Sequence, residues 1–176
     1  ILNISGEKFS GKTHLVNIFL KKFNGIKIES NLLNNEDFKT IKSFQCIVLE
    51  DLTLEIDENL IYTLFNIIDQ DNKFLIVTSN KPIVEIDFKL QDLRSRTKNC
   101  LLAKIENPDD ELMFAIILKN LSDRQITLDK KLIDYIIKRI DRSYSKIFEF
   151  IYKIDEISLK KKKSIDFKII NEALEN

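Results

Sequence analysis

One stretch near the start of the chain limits its possible folds more than any other: Gly6-Glu7-Lys8-Phe9-Ser10-Gly11-Lys12-Thr13. It satisfies G-x-x-x-x-G-K-[ST] at every fixed position. Ile1, Leu2 and Ile4 before it read as a short buried strand. His14 to Leu20 after it reads as a helix, apolar at positions 15, 16, 18, 19 and 20. Strand, glycine loop and helix is the arrangement a phosphate-binding loop needs. Gly6 and Gly11 permit backbone angles and close approaches that a Cβ would forbid. The loop N–H groups and the helix N-terminus then form a positive nest for phosphate oxygens. Lys12 is placed to reach the β- and γ-phosphates, and the Thr13 hydroxyl to ligate Mg²⁺. The chain has only three glycines, and the loop uses Gly6 and Gly11. The expected nucleotide site therefore runs from Gly6 through Glu7, Lys8, Phe9, Ser10, Gly11, Lys12 and Thr13 to His14. As a lone histidine on a helix, His14 suits packing or surface better than catalysis.

Further along, apolar runs alternate with amphipathic ones. Ile26 to Glu29 alternates as a strand after the stop signal Asn24-Gly25. A short helix is expected around Glu36 to Ile41. Cys46-Ile47-Val48-Leu49 is a buried parallel strand that delivers Glu50 and Asp51 at its C-terminal edge. Asp57 to Asp69 has the apolar spacing of an amphipathic helix. Phe74 to Asn80 is another buried strand, stopped by Lys81-Pro82. Leu90 to Thr97 holds the basic pair Arg94 and Arg96, and Cys100 to Ile105 is a fifth strand.

At Asn107-Pro108-Asp109-Asp110 the texture changes to an N-cap, a proline at the first helical position and acids in the first turn. Helices follow: Glu111 to Leu121, one capped by Asp129, one capped by Ser143, and a short last one capped by Asp166. Lys160 to Lys163 is expected as a solvated basic turn. Two domains are expected, an α/β nucleotide-binding domain over 1–106 and an all-helical lid over 107–176.

Composition narrows the partners. The chain carries 28 basic and 28 acidic residues in 176, so global charge draws it to neither nucleic acid nor membrane. No stretch resembles a membrane span or a signal peptide. Cys46 and Cys100 lie in apolar runs and read as buried thiols in a reducing, cytoplasmic compartment, without disulfide or metal roles. Residue 1 is Ile and the only methionine is Met113, so the native start is expected to lie upstream.

A phosphate loop, an acid-tipped strand and a polar-tipped strand, in that order, are the signature of the ATPase branch of P-loop proteins. There the carboxylates hold Mg²⁺ and activate water. Glu50 and Asp51 occupy that place, and Asn80 ends the next strand where it can orient the attacking water.

These segments together resemble the AAA+ domain of DnaA-type replication initiators and, more closely, their shortened Hda-type homologues of the alphaproteobacterial-like branch. Gly11-Lys12-Thr13-His14-Leu15 resembles the family's P-loop exit, and Val77 to Pro82 its sensor 1 segment. Leu90-Gln91-Asp92-Leu93-Arg94-Ser95-Arg96 resembles the "L-x-D-L-x-S-R" box. Pro108 to Gln125 and Arg139 to Ser143 resemble the Hda-type lid. The resemblance covers essentially the whole chain. It implies a five-stranded parallel sheet in the order 5-1-4-3-2 followed by a small helical lid. It implies ATP or ADP with Mg²⁺ held by Thr13, Glu50 and Asp51. It makes Arg96 an arginine finger acting on a neighbour's nucleotide, and it places Lys146 where the family's sensor 2 arginine touches phosphate.

Two departures stand out: Glu50 precedes Asp51 where the family has Asp first, and Lys146 lacks arginine's fork. Both imply low intrinsic turnover. The function implied is regulation of replication initiation by promoting ATP hydrolysis on the DnaA initiator. The alternative is a DnaA-like adaptor that holds nucleotide and docks a replication protein or DNA. A sliding clamp is a further expected partner, through an N-terminal segment not in this sequence, and any DNA contact is expected to be weak or indirect. A small P-loop kinase is disfavoured by the helical lid and the L-x-D-L-x-S-R box.

Overall fold

The computed structural model describes residues 1–175. Five strands form one parallel sheet: β1 (Leu2–Ser5), β2 (Gly25–Glu29), β3 (Cys46–Leu52), β4 (Phe74–Ser79) and β5 (Leu101–Lys104). Their spatial order is β2-β3-β4-β1-β5, which from the other edge is the expected 5-1-4-3-2. Every pairing is parallel, so each connection must run back along the sheet, and helices make the crossings. These are α1 (Lys12–Lys22), α2 (Asp37–Ile41), α3 (Glu58–Gln70) and α4 (Gln91–Thr97), with single 3₁₀ turns at Ser30–Leu32 and Ile83–Glu85.

Strand alternation divides the core into two. Ile47, Leu49, Leu75 and Val77 face one side and pack with Ile61, Leu64, Phe65 and Ile68 of α3. Cys46, Val48 and Ile76 face the other and pack with Val16 of α1. Full burial of one such aliphatic side chain contributes about 1.5–3 kcal/mol. The central strands β3 and β4 therefore need apolar residues on both faces, which is why their sequences read as unbroken apolar runs.

Three expectations are corrected here. β3 does not end at Leu49. It continues to Leu52 through a register shift between Leu49 and Leu52, where Asp51 adopts φ 51°. That bulge is held by the Asp51 N–H donating to Thr78 Oγ1 at 2.9 Å and by Ser30 Oγ donating to the Asp51 carbonyl at 2.7 Å. β5 is shorter than expected, and as an edge strand it exposes all four of its residues. Cys100, just before it, is half-buried rather than buried, whereas Cys46 is buried. Both thiols are free, on segments separated by β4 and β1, and burial pushes the ionisation of both up.

The contacts divide the chain into one unit over Ile1–Ile105 and a second beginning at Glu106. The second is all helical: α5 (Asp110–Asp123), α6 (Lys130–Ile137), α7 (Tyr144–Lys161) and α8 (Phe167–Glu175). Met113, Ile117 and Leu121 of α5 repeat every four residues and meet Ile133, Ile136, Ile147, Ile151, Ile154 and Ile170 in its core.

Two local expectations also change in this unit. Asp109, not Asn107, is the N-cap of α5; its carboxylate accepts from Leu112 N–H at 2.8 Å. An aspartate satisfies an orphan helix N–H directly, and Pro108 is left outside the helix. Lys160 and Lys161 belong to α7 rather than to a turn. Lys160 pairs with Glu156 at 2.6 Å, one helical turn away, Lys161 pairs with Glu172, and Lys162 ends the helix at φ 51°. Among the described residues no helix is long and apolar enough to cross a membrane.

Candidate functional site

The glycine loop folds at the C-terminal end of β1, which is flanked by β4 and β5. Gly6 donates to the Ser79 carbonyl at 3.1 Å, and Ser10 N–H donates back to Glu7 at 3.1 Å. A Cβ on Gly6 would lie 2.8 Å from Ser10 Oγ and 2.9 Å from Ile105 Cβ, so only glycine fits. Gly11 caps α1 at φ 95°, a left-handed angle that glycine adopts at no steric cost. The first turn of α1 contains no acidic residue, so the positive end of its dipole is not neutralised from within the turn.

Lys12 is 6% exposed. Its ammonium donates to the Gly6 carbonyl at 2.8 Å, to the Glu7 carbonyl at 3.0 Å and to Asn80 Oδ1 at 3.4 Å. Burial lowers its pKa, opposed by the charges of Asp51, Glu7 and Glu50. The structure thus brings the loop, Asn80 and both acids into one electrostatic neighbourhood. Phe9 is exposed at the loop tip, with Lys8 Nζ 5.3 Å from its ring centre. Thr13 and His14 are exposed on the first turn of α1.

The two acids differ in setting. Asp51 is exposed at the bulge. Glu50 is buried, with Oε2 2.9 Å from Lys27 Nζ and Oε1 buried without a hydrogen-bond partner. Ser10 Oγ in the loop is likewise buried and unpartnered. An orphaned carboxylate oxygen and an orphaned hydroxyl beside a phosphate nest suit a hydrated divalent cation and a phosphate oxygen. Thr13, Glu50 and Asp51 are the side chains that would hold the cation. No cluster of three or more His, Cys, Asp or Glu forms a metal cage among the described residues. Mg²⁺ bound to nucleotide needs only one or two carboxylates, because phosphates and waters complete its shell.

Arg96 lies elsewhere. Its Nη1 donates to Asp69 Oδ2 at 2.6 Å, and its guanidinium carbon is 5.4 Å from the centre of the Tyr62 ring. Asp69 is in the last turn of α3, just before β4 begins, so Arg96 sits at the end of the sheet opposite the loop. Arg94 pairs with Asp87 at 2.6 Å, and its Nε donates to the Phe88 carbonyl. Lys146 is in the first turn of α7, where its N–H donates to Ser143 Oγ at 3.2 Å and its ammonium pairs with Glu149 at 2.8 Å.

Several supporting residues escape a reading of the sequence. Asn3 is buried in β1. It donates to the Val77 carbonyl and to Ser79 Oγ, and its Oδ1 accepts from Ile83 N–H at 2.9 Å, fixing β1, β4 and the turn after β4 together. Glu58, at the start of α3, accepts from the N–H groups of Lys89 and Leu90 at 2.9 and 2.8 Å, which anchors the entry to α4. For Asn3 the available signal was a lone amide inside an apolar strand. Lys27 and Glu58 carried none, because charged residues at such positions are usually solvated.

Comparison with known proteins agrees with this architecture. Residues 109–174 match the family described as the Hda lid domain. A chromosomal replication initiator protein DnaA from Helicobacter hepaticus is 30% identical over 196 residues, an alignment that covers 97% of this chain and 42% of that protein. The chain thus spans less than half the length of that relative. Domain III of the Thermotoga maritima initiator DnaA superposes with a TM-score of 0.76 at 20% identity, covering 99% of this chain and 82% of that one. AMPPCP-bound DnaA from Aquifex aeolicus superposes with a TM-score of 0.67 at 22% identity, covering 92% of this chain and 59% of that one. At these identities the two structures speak to the fold.

Proposed function

We propose, from the premise that this chain is a DnaA/Hda-like AAA+ protein, that it is a nucleotide-dependent regulator of replication initiation. ATP or ADP occupies the Gly6–Thr13 loop, with Lys12 on the phosphates. Thr13, Glu50 and Asp51 would hold Mg²⁺, which would supply positive charge beside the phosphates, and Asn80 orients water. Arg96 acts in trans, on nucleotide bound by a DnaA-type initiator, and promotes its hydrolysis. Lys146 is the lid's cation toward phosphate. DnaA is the direct partner, and a sliding clamp is a further one.

One observation supports the trans role above others. Arg96 is tied to Asp69 and Tyr62 at the end of the sheet opposite its own loop, so it is badly placed to serve its own nucleotide. Its guanidinium still offers donors beyond Nη1, and the planar fork suits phosphate. A finger of this kind raises a partner's rate by about 10³-fold or more. The adaptor reading, with nucleotide held and scarcely turned over, is favoured by the Lys27 contact to Glu50.

The test is hydrolysis of ATP by the cognate initiator, measured with DNA and clamp present. Stimulation by the parent protein supports the regulator, and its absence with intact nucleotide binding supports the adaptor. Arg96→Ala is expected to abolish stimulation while leaving the protein's own nucleotide affinity within about twofold, because the lost charge acts in the partner's transition state. Arg94→Ala, whose side chain closes a local loop on Asp87 and Phe88, has the smaller effect. An Arg96→Ala protein that binds nucleotide poorly yet still stimulates the initiator overturns the assignment.

A further inference from the structure

Glu50 stands at the metal side of the candidate site, and its two oxygens are unequal. Oε2 is 2.9 Å from the ammonium of Lys27, on the neighbouring strand β2. Oε1 is buried and has no hydrogen-bond partner. The Glu50 side chain is 8% exposed and that of Lys27 is 37% exposed, so solvent reaches the lysine and hardly reaches the acid. Strand register makes the contact a built feature: Glu29 lies opposite Glu50 and Lys27 opposite Val48, so a long side chain from β2 reaches along β3 to the acid. A buried carboxylate with a fixed cation on one oxygen attracts a second cation less than an unpaired one would.

We propose that Lys27 is an internal counter-cation at the metal-side carboxylate, which leaves only Oε1 for a divalent ion and weakens Mg²⁺ binding at this site. The inference rests on the reading that the loop binds nucleotide. It assigns Lys27 as a positioning and charge-setting residue that acts through Glu50. Mg²⁺ is a hard cation bound through one or two carboxylates together with phosphates and waters, and an ammonium on the same carboxylate offsets the negative charge that draws it. The site is thereby biased toward holding nucleotide over turning it over.

The experiment measures binding rather than turnover. Free Mg²⁺ is titrated against a fixed concentration of a fluorescent ADP analogue, with the whole protein, and the Mg²⁺ midpoint of the affinity change is recorded. Lys27→Gln keeps a donor for Oε2 but removes the charge, and is expected to lower the midpoint by about tenfold, the size of one charge-assisted contact. Lys27→Arg keeps the charge and brings a fork that can reach both oxygens. It is expected to raise the midpoint a few-fold, and it keeps the inference testable if the Gln variant does not fold. In a Glu50→Gln background, Lys27→Gln is expected to shift nothing, because the pair is already broken.

An unshifted or raised midpoint in Lys27→Gln overturns the inference. So does an unshifted or lowered midpoint in Lys27→Arg, or a shift that persists without the Glu50 carboxylate. A parent protein that binds no nucleotide at any Mg²⁺ concentration overturns the underlying reading as well. Nucleotide binding with insensitive Lys27 variants overturns this inference alone.

Discussion

Polar contacts within the sheet unit and polar contacts within the helical unit differ in their reach along the chain. At the loop, Lys12 meets Asn80 across 68 residues of sequence, and Asn3 meets Ile83 across 80. In the helical unit the contacts that begin helices are local. Asp109 to Leu112, Ser143 to Lys146 and Asp166 to Ile169 each span three residues. Longer contacts exist there, such as Arg124 with Asp155 and Tyr135 with Asn171, but both are exposed. A parallel sheet assembles a site from remote segments because every strand delivers its C-terminal end to the same edge. A helical bundle needs only periodicity and caps. Damage in the first unit should therefore remove an activity, and damage in the second should subtract stability in small local amounts.

The largest effect that tests this contrast comes from Lys12→Ala. It removes the buried ammonium of the loop, where Lys12 holds the Gly6 and Glu7 carbonyls and Asn80. We expect ADP and ATP affinity to fall by more than about 100-fold, since charge-assisted contacts to phosphate are among the strongest available. Helix content by circular dichroism should stay unchanged, because no residue of the apolar core is touched. Titration calorimetry checks the first expectation. Full nucleotide binding by the variant breaks both the contrast and the assignment of the loop.

The same contrast explains what was legible. The loop could be seen in the sequence because eight consecutive residues carry it, and β3 and β4 because buried parallel strands are apolar throughout. The caps at Ser143 and Asp166 were visible because a cap sits within one turn of what it bonds. The bulge at Asp51 was not visible. It depends on Thr78 and Ser30, which belong to other segments and look ordinary by themselves. The Lys27–Glu50 pair was hidden for the same reason, since only strand register brings the two together. The shift of the α5 cap from Asn107 to Asp109 was a choice among adjacent capping residues, and side-chain geometry, absent from sequence, decides it. The basic run at Lys160 and Lys161 looked like a turn because its partners Glu156 and Glu172 had not been placed.

A smaller effect is expected at Ser143. Its hydroxyl accepts from Lys146 N–H at the start of α7, and replacing a serine N-cap by alanine costs about 1 kcal/mol. Ser143→Ala should lower helical-unit stability by that amount in urea, and amide exchange should quicken in the first turn of α7. Ser143→Asp should restore most of the loss. Slowed exchange, or a loss of several kcal/mol, breaks the expectation that this unit responds locally.

The smallest effect concerns Glu58, a carboxylate at a helix start in the sheet unit whose contacts are long-range. It accepts from Lys89 and Leu90 N–H and so ties the start of α3 to the start of α4. Partial burial alone would raise its pKa, but the two N–H groups, with the charges of Lys89 and Arg94, outweigh that and hold it below the ordinary glutamate value of 4.5. The sign follows from linkage: a pKa lower in the folded state means stability that is present above the unfolded value and lost as pH falls through the folded one. The loss therefore belongs below about pH 4.5. Its size should be a few tenths of a kcal/mol, because the carboxylate is partly exposed and solvent screens it. The measurement is amide exchange at Lys89 and Leu90 between pH 6 and pH 3, corrected for the intrinsic pH dependence of exchange. Protection should fade at the acid end in the parent protein. Glu58→Gln retains one acceptor oxygen and no charge, so it should start with weaker protection and change little with pH. Equal, pH-independent protection in both proteins would mean that the Glu58 carboxylate adds nothing to the anchoring of the α4 entry, and so nothing to where Arg96 sits.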